Sequence, residues 1–217
     1  MADFTNSSNV AQAALVNGAR ELYTSSNILR WAKAGKLFTA SQGLEATDVD
    51  SATTEADTTP TYSLQAPSSS SKYVVPIRVR LALTNDGGGL STFDVSYTKA
   101  AAQCATKLTL SGTALNIQNH LTTNPMVTGL ATALHTVTAS ALLTTDYITV
   151  AHQHAVDAAL TTGLPLPGAG LEWVVDLLDM GIVLTQSAAL LIHTYTASSA
   201  GKTVPVITWA ELDETDF

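Results

Sequence analysis

Alternation of apolar and polar side chains between Tyr73 and Thr84 is the feature that most constrains the fold of this chain. The apolar side chains occupy every second position, at Val75, Ile77, Val79, Leu81 and Leu83. Arg78, Arg80 and Thr84 occupy the alternate positions. Because successive side chains of a β-strand point to opposite faces, this spacing predicts one long strand with an apolar face and a polar face.

A turn and a second alternating run follow this strand. The turn, Asn85-Asp86-Gly87-Gly88-Gly89, is rich in glycine, which adopts positive φ at little cost. Phe93, Val95 and Tyr97 then repeat the two-residue period. The sequence therefore predicts a β-hairpin across Lys72–Lys99.

Shorter runs with strand character occupy much of the remaining chain. We predict further strands at residues 107–110, 114–118, 142–152, 171–179 and 204–212, and a second hairpin over 182–196. Residues 127–141 fit either a short helix or a strand, with their threonines favouring a strand. Short strands at irregular spacing, with no alternation of strand and helix, predict an all-β fold. We expect an antiparallel β-sandwich, for which a jelly roll is the best match.

The first third of the chain has a different character. Residues 10–38 tolerate a helix, and residues 45–57 contain five acidic residues and no basic one. The serine-rich segment 67–71 has the composition of a linker. We therefore predict an N-terminal arm over residues 1–71, partly helical or irregular, followed by a β-sandwich domain over residues 72–217.

The composition excludes some classes of protein. Ten Lys and Arg against 18 Asp and Glu give a net charge of −8, which disfavours contact with nucleic acid because phosphate binding needs clustered cations. Apolar residues reach 46% and charged residues only 13%, unlike a disordered chain. The uncharged segments 108–145 and 180–201 are too polar to predict a membrane span, and the first residues do not resemble a signal peptide.

The densest candidate metal site is His152-Gln153-His154 with Asp157 nearby. Residues i and i+2 of a strand share a face, so the two imidazoles could bind one ion with the carboxylate completing the set. The alternative, which the sequence favours, is a polar strand end without metal, because this spacing lacks a fixed third ligand. We therefore expect no bound metal and no cofactor.

Other chemistry-bearing residues have ordinary interpretations. Cys104, the single cysteine, is expected to be a small buried apolar residue, and His193 a satisfied histidine of the core or an interface. Asp176 and Asp179, three positions apart, are expected to point to opposite faces of one strand and into solvent. The sequence contains no GxSxG, HExxH or CxxC motif, and we do not expect an enzyme.

Clustered basic residues suggest contacts between subunits. The interface candidates are Arg20, Arg30, Lys33 and Lys36 in the arm, and Arg78 and Arg80 on the polar face of the long strand. The two strand arginines could instead form a solvated face. The acidic C-terminal segment 211–217 could pair with the basic arm segment of an adjacent copy, or could simply be a soluble end.

The chain from residue 72 onward resembles virion proteins of tailed bacteriophages with a jelly-roll fold. The resemblance lies in Val75-Pro76-Ile77-Arg78-Val79-Arg80-Leu81, in the segment 182–195, and in Pro205-Val206-Ile207-Thr208-Trp209-Ala210-Glu211-Leu212. It implies a structural protein of the particle, often trimeric, such as a capsid decoration protein. It supplies no functional residues.

The leading hypothesis is therefore a self-associating protein, expected to be a trimer, on the capsid surface of a virion. It would be made in the host cytoplasm and would bind other capsid proteins, without nucleic acid or a membrane. A low-charge sandwich with an arm suits such assembly. The alternatives are a major coat protein, a tail or fibre component, or a carbohydrate-binding or hydrolytic module in which Trp31, Trp173 and Trp209 would form a sugar platform.

Overall fold

The computed structural model describes residues 3–5, 11–13, 27–42, 48–53, 56, 58–68, 71–86, 91–123, 130–155, 172–196 and 201–216. Two antiparallel β-sheets account for most of them. The all-β class predicted from the sequence and the two-sheet arrangement are confirmed. A small separate pair, β1 (Asp3–Thr5) with β2 (Ala11–Ala13), precedes the single described α-helix, α1 (Asn27–Lys33).

Sheet I contains six strands in the spatial order β11-β7-β13-β5-β10-β8. In chain order these are β5 (Tyr62–Gln65), β7 (Ser91–Thr98), β8 (Leu110–Ala114), β10 (Thr132–Ala139), β11 (Tyr147–Ala155) and β13 (Ala189–Thr196). Every neighbouring pair in the sheet is antiparallel.

Sheet II has the order β12-β6-β14-β3-β9, with the short strand β4 paired beside β14. Its strands are β3 (Leu37–Ser41), β4 (Val49–Asp50), β6 (Tyr73–Asp86), β9 (Asn116–Asn119), β12 (Glu172–Asp176) and β14 (Gly201–Leu212). These pairs are also antiparallel.

The main core lies between the two sheets and is filled by one face of each. Buried side chains from sheet I include Tyr62, Leu64 and Phe93, and those from sheet II include Leu81 and Trp209. Strands β3 and β5 contribute to this core, although the sequence placed residues 37–65 in the arm. The sandwich therefore uses residues from both sides of the predicted boundary at residues 71 and 72.

The predicted hairpin over Lys72–Lys99 is wrong, although both of its strands exist. Strand β6 lies in sheet II between β12 and β14, and β7 lies in sheet I between β11 and β13. The connection between them therefore links the two sheets. Alternation determines which face of a strand is buried, but it is the same whichever strand lies alongside.

The second predicted hairpin is also wrong. Residues 189–196 form β13 in sheet I, whereas Leu184 makes an isolated bridge with Val74 of sheet II. The two halves of the predicted hairpin thus lie in different sheets. The intervening Gln186 and Ser187 both have positive φ, and this tight turn redirects the chain from one sheet to the other.

The pairing of the long strand β6 with β14 shifts register twice, near its end between Asn85 and Leu83 and near its start at a β-bulge that reverses the buried face. Thr208 of β14 is paired with Arg78, but Trp209, the next residue, is paired with Pro76. Ile77 is therefore the extra residue on β6, and a bulge reverses the alternation beyond it. Val79 and Leu81 face the main core, whereas Val75 and Ile77 pack in a second cluster beneath Trp31 of α1, so the five predicted apolar positions do not share one face.

Several other predicted strands are confirmed with shifted bounds. The segment 107–110 contributes only Leu110, the first residue of β8, and 114–118 corresponds to β9 at 116–119. The ambiguous segment 127–141 contains strand β10. Within the helix-tolerant segment 10–38, α1 is followed by a short turn at residues 34–36, residues 11–13 and 37–38 are in strands, and residues 10 and 14–26 lie outside the described residues.

Candidate functional site

One row across sheet I brings together three chemistry-bearing side chains. Asp94 of β7 lies directly opposite His152 of β11 on one side and His193 of β13 on the other. Directly opposite residues of neighbouring strands share a face, so the row presents a carboxylate between two imidazoles. Oδ1 of Asp94 contacts Nδ1 of His152. This contact orients the imidazole and directs its Nε2 away from the carboxylate.

A cavity of about 190 Å³ is lined by this row. Its other polar lining residues are Ser96, Tyr147 and Thr149. The Asp94 side chain is only 15% exposed, whereas that of His152 is 49% exposed. The cavity is small and polar, so it suits water or a small polar group better than an apolar ligand.

The predicted metal set of His152, His154 and Asp157 is only partly described. His152 contacts Asp94, whereas the side chain of His154 and all of Asp157 lie outside the described residues. The described part of the chain holds no group of three or more His, Cys, Asp or Glu residues arranged to bind a metal ion. The metal set therefore stays a prediction.

Sequence reasoning missed Asp94 as the partner of His152. Asp94 occupies a polar position between Phe93 and Val95, which marks its face but not its neighbours. The three residues of the row are far apart in sequence, and only the strand order of sheet I brings them together. The sequence could have indicated this row only if the pairing of β7 with β11 and β13 had been known.

A larger open cleft of about 530 Å³ lies at one end of the sandwich, beside β4 and the corner between β8 and β9. Its polar lining residues are Gln42, Asp48, Asp50, Asn116, His135 and Thr136. Nδ1 of His135 lies 3.1 Å from Oγ1 of Thr136, and burial lowers the pKa of this histidine below 6.5. Both carboxylates and the two amide side chains can bind hydroxyl or amine groups.

Two local features of this cleft are uncommon. Thr136 has a φ of 51°, a left-handed conformation that is unfavourable for a β-branched residue. It lies where the register of β10 and β8 shifts between His135 and Thr138. Oε1 of Gln42 is buried, with no hydrogen-bond partner among the described residues. Strained and unsatisfied groups of this kind cost free energy, and they occur disproportionately at binding sites.

The two strand arginines form ion pairs within their own sheet. Nε of Arg78 lies 2.5 Å from Oδ1 of Asp176, and Nη2 of Arg80 lies 2.6 Å from Oε1 of Glu172. Both acids belong to β12, the strand beside β6. The expectation that Asp176 and Asp179 share one strand is wrong, because β12 ends at Asp176 and Asp179 lies in the following 3₁₀ turn.

The acidic C-terminal segment meets the basic arm within one chain. Nζ of Lys36 lies 3.3 Å from Asp213 and also contacts Asp216, and Nζ of Lys72 lies 2.6 Å from Asp213. The predicted pairing of opposite charges therefore occurs at Lys36, but without a second copy. Arg30 and Lys33 are exposed on α1, and Arg20 lies outside the described residues.

These contacts shift the pKa values of the groups involved. The hydrogen bond from Lys72, followed by the one from Lys36, lowers the pKa of Asp213 below 3.8. The hydrogen bond from Lys36 lowers the pKa of Asp216 in the same direction. Asp216 in turn raises the pKa of Lys36 above 10.5. All three groups are therefore charged near neutral pH.

The tryptophans do not form an exposed platform. Trp173 stacks on Phe93 with ring centroids 5.4 Å apart, and Trp209 stacks on Phe38 at 5.9 Å. Both indoles lie in the main core, and Trp31 packs half-buried against the second cluster. The carbohydrate alternative therefore loses the aromatic surface on which it relied.

Cys104 is buried, as the sequence predicts. It packs in a small cluster that covers the outer surface of sheet I with Leu108 and Leu142. Burial, with a smaller contribution from Asp146, raises the pKa of its thiol above 9.0. A thiol with a raised pKa is a poor nucleophile near neutral pH.

Asp146 is the buried carboxylate that holds two loops over sheet I. Its oxygens accept hydrogen bonds from the backbone N–H groups of Ala105 and Leu143, at 3.1–3.2 Å.

Among the described residues no helix is long and apolar enough to cross a membrane. No protein-family model matches this chain, and no curated protein matches it.

Proposed function

We propose that this protein is a structural component of a bacteriophage virion that self-associates, as a trimer, and decorates or stabilises the capsid. Its role is mechanical and involves no catalysis: contact area buried between subunits opposes internal pressure. Its partners are other copies of the chain and other capsid proteins, on the particle surface after synthesis in the host cytoplasm. The observation that carries the proposal is the outer face of sheet II.

This outer face is open and low in net charge. Val174 of β12 is 41% exposed, and Val204 and Val206 of β14 are half-buried. Six charged side chains lie on the same face, but they are joined as the pairs of Arg78 with Asp176, of Arg80 with Glu172 and of Lys202 with Asp50. A sheet surface whose charges are already paired loses less solvation energy when it is covered, which favours contact with another protein.

The strand pairing supports a jelly-roll interpretation of the sandwich. Strands β6 and β14 are paired in sheet II, and β7 and β13, adjacent to them in the chain, are paired in sheet I. Two consecutive strand pairs that pass from one sheet to the other are typical of a jelly roll. The other neighbour of β14 is β3, which precedes these four strands in the chain. We therefore propose a jelly roll to which the N-terminal part of the chain adds a strand in sheet II.

Native mass in solution tests the proposed self-association. We expect light scattering on the purified protein to give a trimer or a larger species, and the mass to be unchanged by EDTA. A monomer at all accessible concentrations would contradict the proposal. Dissociation by EDTA would instead indicate a structural metal and return attention to His152 and His154.

Binding to capsids tests the virion role separately. The purified protein should co-sediment with phage shells that lack it and should raise the temperature at which those shells rupture. A variant with Val174, Val204 and Val206 changed to Asp should lose this binding. The matched control is Thr132→Asp, which adds a carboxylate at an exposed position on the interior strand β10 of sheet I. A major coat protein or a tail component would fail to decorate a preassembled shell.

A ligand-binding module is the second candidate function, and the 530 Å³ cleft favours it. The polar groups of Asp48, Asp50 and Asn116 suit the hydroxyls of a sugar, even though both core tryptophans are buried. Glycan binding that is lost in Asn116→Ala and kept in Gln118→Ala would support this function. Absence of binding across a broad glycan panel would remove it.

A further inference from the structure

Both edges of sheet I are strands without formal charge. Strand β8 at one edge and β11 at the other contain no Asp, Glu, Lys or Arg. Natural proteins protect sheet edges with charges, proline, bulges or covering segments, because the free backbone groups of an edge pair readily with another strand. The ladder at each edge has one register shift, between His135 and Thr138 of β10 and between Thr149 and Ala151 of β11, but neither edge strand has a charged residue or a proline to block pairing.

The exposure of these edges is consistent with a missing neighbour. Ser111, Gly112, Thr113 and Ala114 of β8 are all exposed. Ile148 of β11 lies opposite Tyr97, which packs against the main core, so the isoleucine is on the core side of the sheet. It is nevertheless 56% exposed, because the described part of sheet I ends at β11. An additional strand at this edge would cover it.

The number of strands decides how copies can join. Sheet I has six strands, all antiparallel, so β8 and β11 run in opposite directions. When a second copy is placed beside the first in the same orientation, its β11 runs antiparallel to β8 and can extend the ladder. Sheet II has five strands on its main path, so its edges, β9 and β12, run in the same direction. Copies in the same orientation would meet there as a parallel pair, beside the charged residues Glu172 and Asp176.

We propose that copies of this protein join head to tail through sheet I, with β8 of one copy paired antiparallel to β11 of the next. Such an interface is heterologous, because it joins two different surfaces of the chain. It closes into a ring when a whole number of identical rotations from one copy to the next adds up to a full turn. A ring of three gives the trimer, so this inference rests on the proposed function and names the surface that it uses. The interface also covers Ile148.

Cysteine crosslinking between different chains tests the direction of the pairing. In a Cys104→Ala background, one variant carries Thr113→Cys in β8, and a second carries Ile148→Cys or Thr149→Cys in β11. We expect disulfide-linked dimers when the two variants are mixed and reassembled, and none when either is oxidised alone. Thr113→Cys crosslinking to itself would indicate twofold β8–β8 pairing and would overturn the head-to-tail arrangement.

Charge substitution tests the same edge without crosslinking. The double variant Ser111→Lys with Thr113→Lys should raise the apparent dissociation constant about tenfold or more, because lysines on an edge strand block pairing. Thr132→Lys, at an exposed position on the interior strand β10 of the same sheet, is the matched control and should leave the mass unchanged. Thermal unfolding of the dilute variants should show that both still fold.

The outcomes separate this inference from the proposed function. An oligomer that resists both lysines and yields no mixed crosslink would overturn the edge pairing and leave self-association standing. A wild-type monomer at every concentration would overturn both. An oligomer that is broken by the β8 lysines and crosslinked only between the two variants would establish the interface.

Discussion

The buried carboxylate of Glu211 accepts a hydrogen bond from the indole of Trp209 two residues before it in β14, with 3.2 Å between Nε1 and Oε1. The same carboxylate accepts hydrogen bonds from the backbone N–H groups of Leu130, at 2.9 Å, and Ala131, at 3.0 Å. Glu211 is only 5% exposed, so these three donors replace its water. One side chain therefore connects sheet II to the segment that begins β10 in sheet I.

Replacement of Glu211 by Ala should lower the free energy of unfolding by about 3 kcal/mol, because it leaves buried donors without an acceptor. Glu211→Gln should cost less, since the amide retains one acceptor oxygen. Urea unfolding followed by tryptophan fluorescence measures both changes. Glu214→Ala, at an exposed position in the same C-terminal segment, is the control and should have no effect. Equal stability of the Glu211 and Glu214 variants would contradict this account.

The hydroxyl of Tyr62 forms a second polar connection between the sheets. It donates to the carbonyl oxygen of Thr203 at 2.9 Å and lies 2.8 Å from Oγ1 of the same residue. Burial raises the pKa of Tyr62, so its phenol stays neutral. Tyr62→Phe should lower the free energy of unfolding by about 1–2 kcal/mol, measured by urea unfolding. Tyr97→Phe, at a half-buried position in the same sheet, should change it by less than half of that amount.

The sequence predicts strands better than it predicts their neighbours. The alternation over 73–84 and at Phe93, Val95 and Tyr97 predicts β6 and β7 correctly, because the period of two follows from local backbone geometry. Whether those strands pair with each other depends on packing between distant segments. Strand β14 occupies one side of β6, and β13 occupies one side of β7. No local pattern contains that information.

The bulge at Ile77 and the candidate sites show the same limit. An uninterrupted alternation from Val75 to Leu83 gave no sign that the face would reverse at Ile77. The spacing of His152 and His154 marks His152 in the sequence, but Asp94 and His193 are its neighbours only through the strand order of sheet I. The charge complementarity of the arm and the C-terminal segment was visible in the sequence. That the contact forms within one chain required the position of Lys36 beside β14.

Acid should weaken the contacts of the C-terminal segment. Asp213 and Asp216 have pKa values below 3.8 in the folded protein, so their contribution to stability is present above 3.8 and is lost as the pH falls through the lowered values. The raised pKa of Lys36 has the opposite sign: its contribution is present below 10.5 and is lost as the pH rises through the raised value.

Thermal unfolding at several pH values tests this expectation. The melting temperature of wild type should fall more between pH 6 and pH 2.5 than that of the double variant Asp213→Asn with Asp216→Asn, which lacks both titrating groups. Glu214→Gln, in the same exposed turn, should retain the wild-type difference. Identical acid sensitivity in wild type and the double variant would show that these ion pairs do not contribute to the pH dependence.

Relief of the left-handed conformation at Thr136 should stabilise the protein. A β-branched residue at a φ of 51° is strained, whereas Asn adopts this region at lower cost. Thr136→Asn should therefore raise the free energy of unfolding by about 0.5–1 kcal/mol. Its side-chain amide, which carries both a donor and an acceptor, can also hydrogen-bond to Nδ1 of His135 in place of Oγ1 of Thr136. Urea unfolding at constant pH measures the change.

Thr138 provides the matched control, because it is exposed two residues later in the same strand and does not have positive φ. Thr138→Asn should lower the free energy of unfolding by up to about 1 kcal/mol, since Asn is less favourable than Thr in a strand. The two substitutions are chemically identical and are expected to act in opposite directions. Equal destabilisation by both would mean that Thr136 carries no conformational strain, and that the bulge in β10 is as well suited to Thr as to Asn.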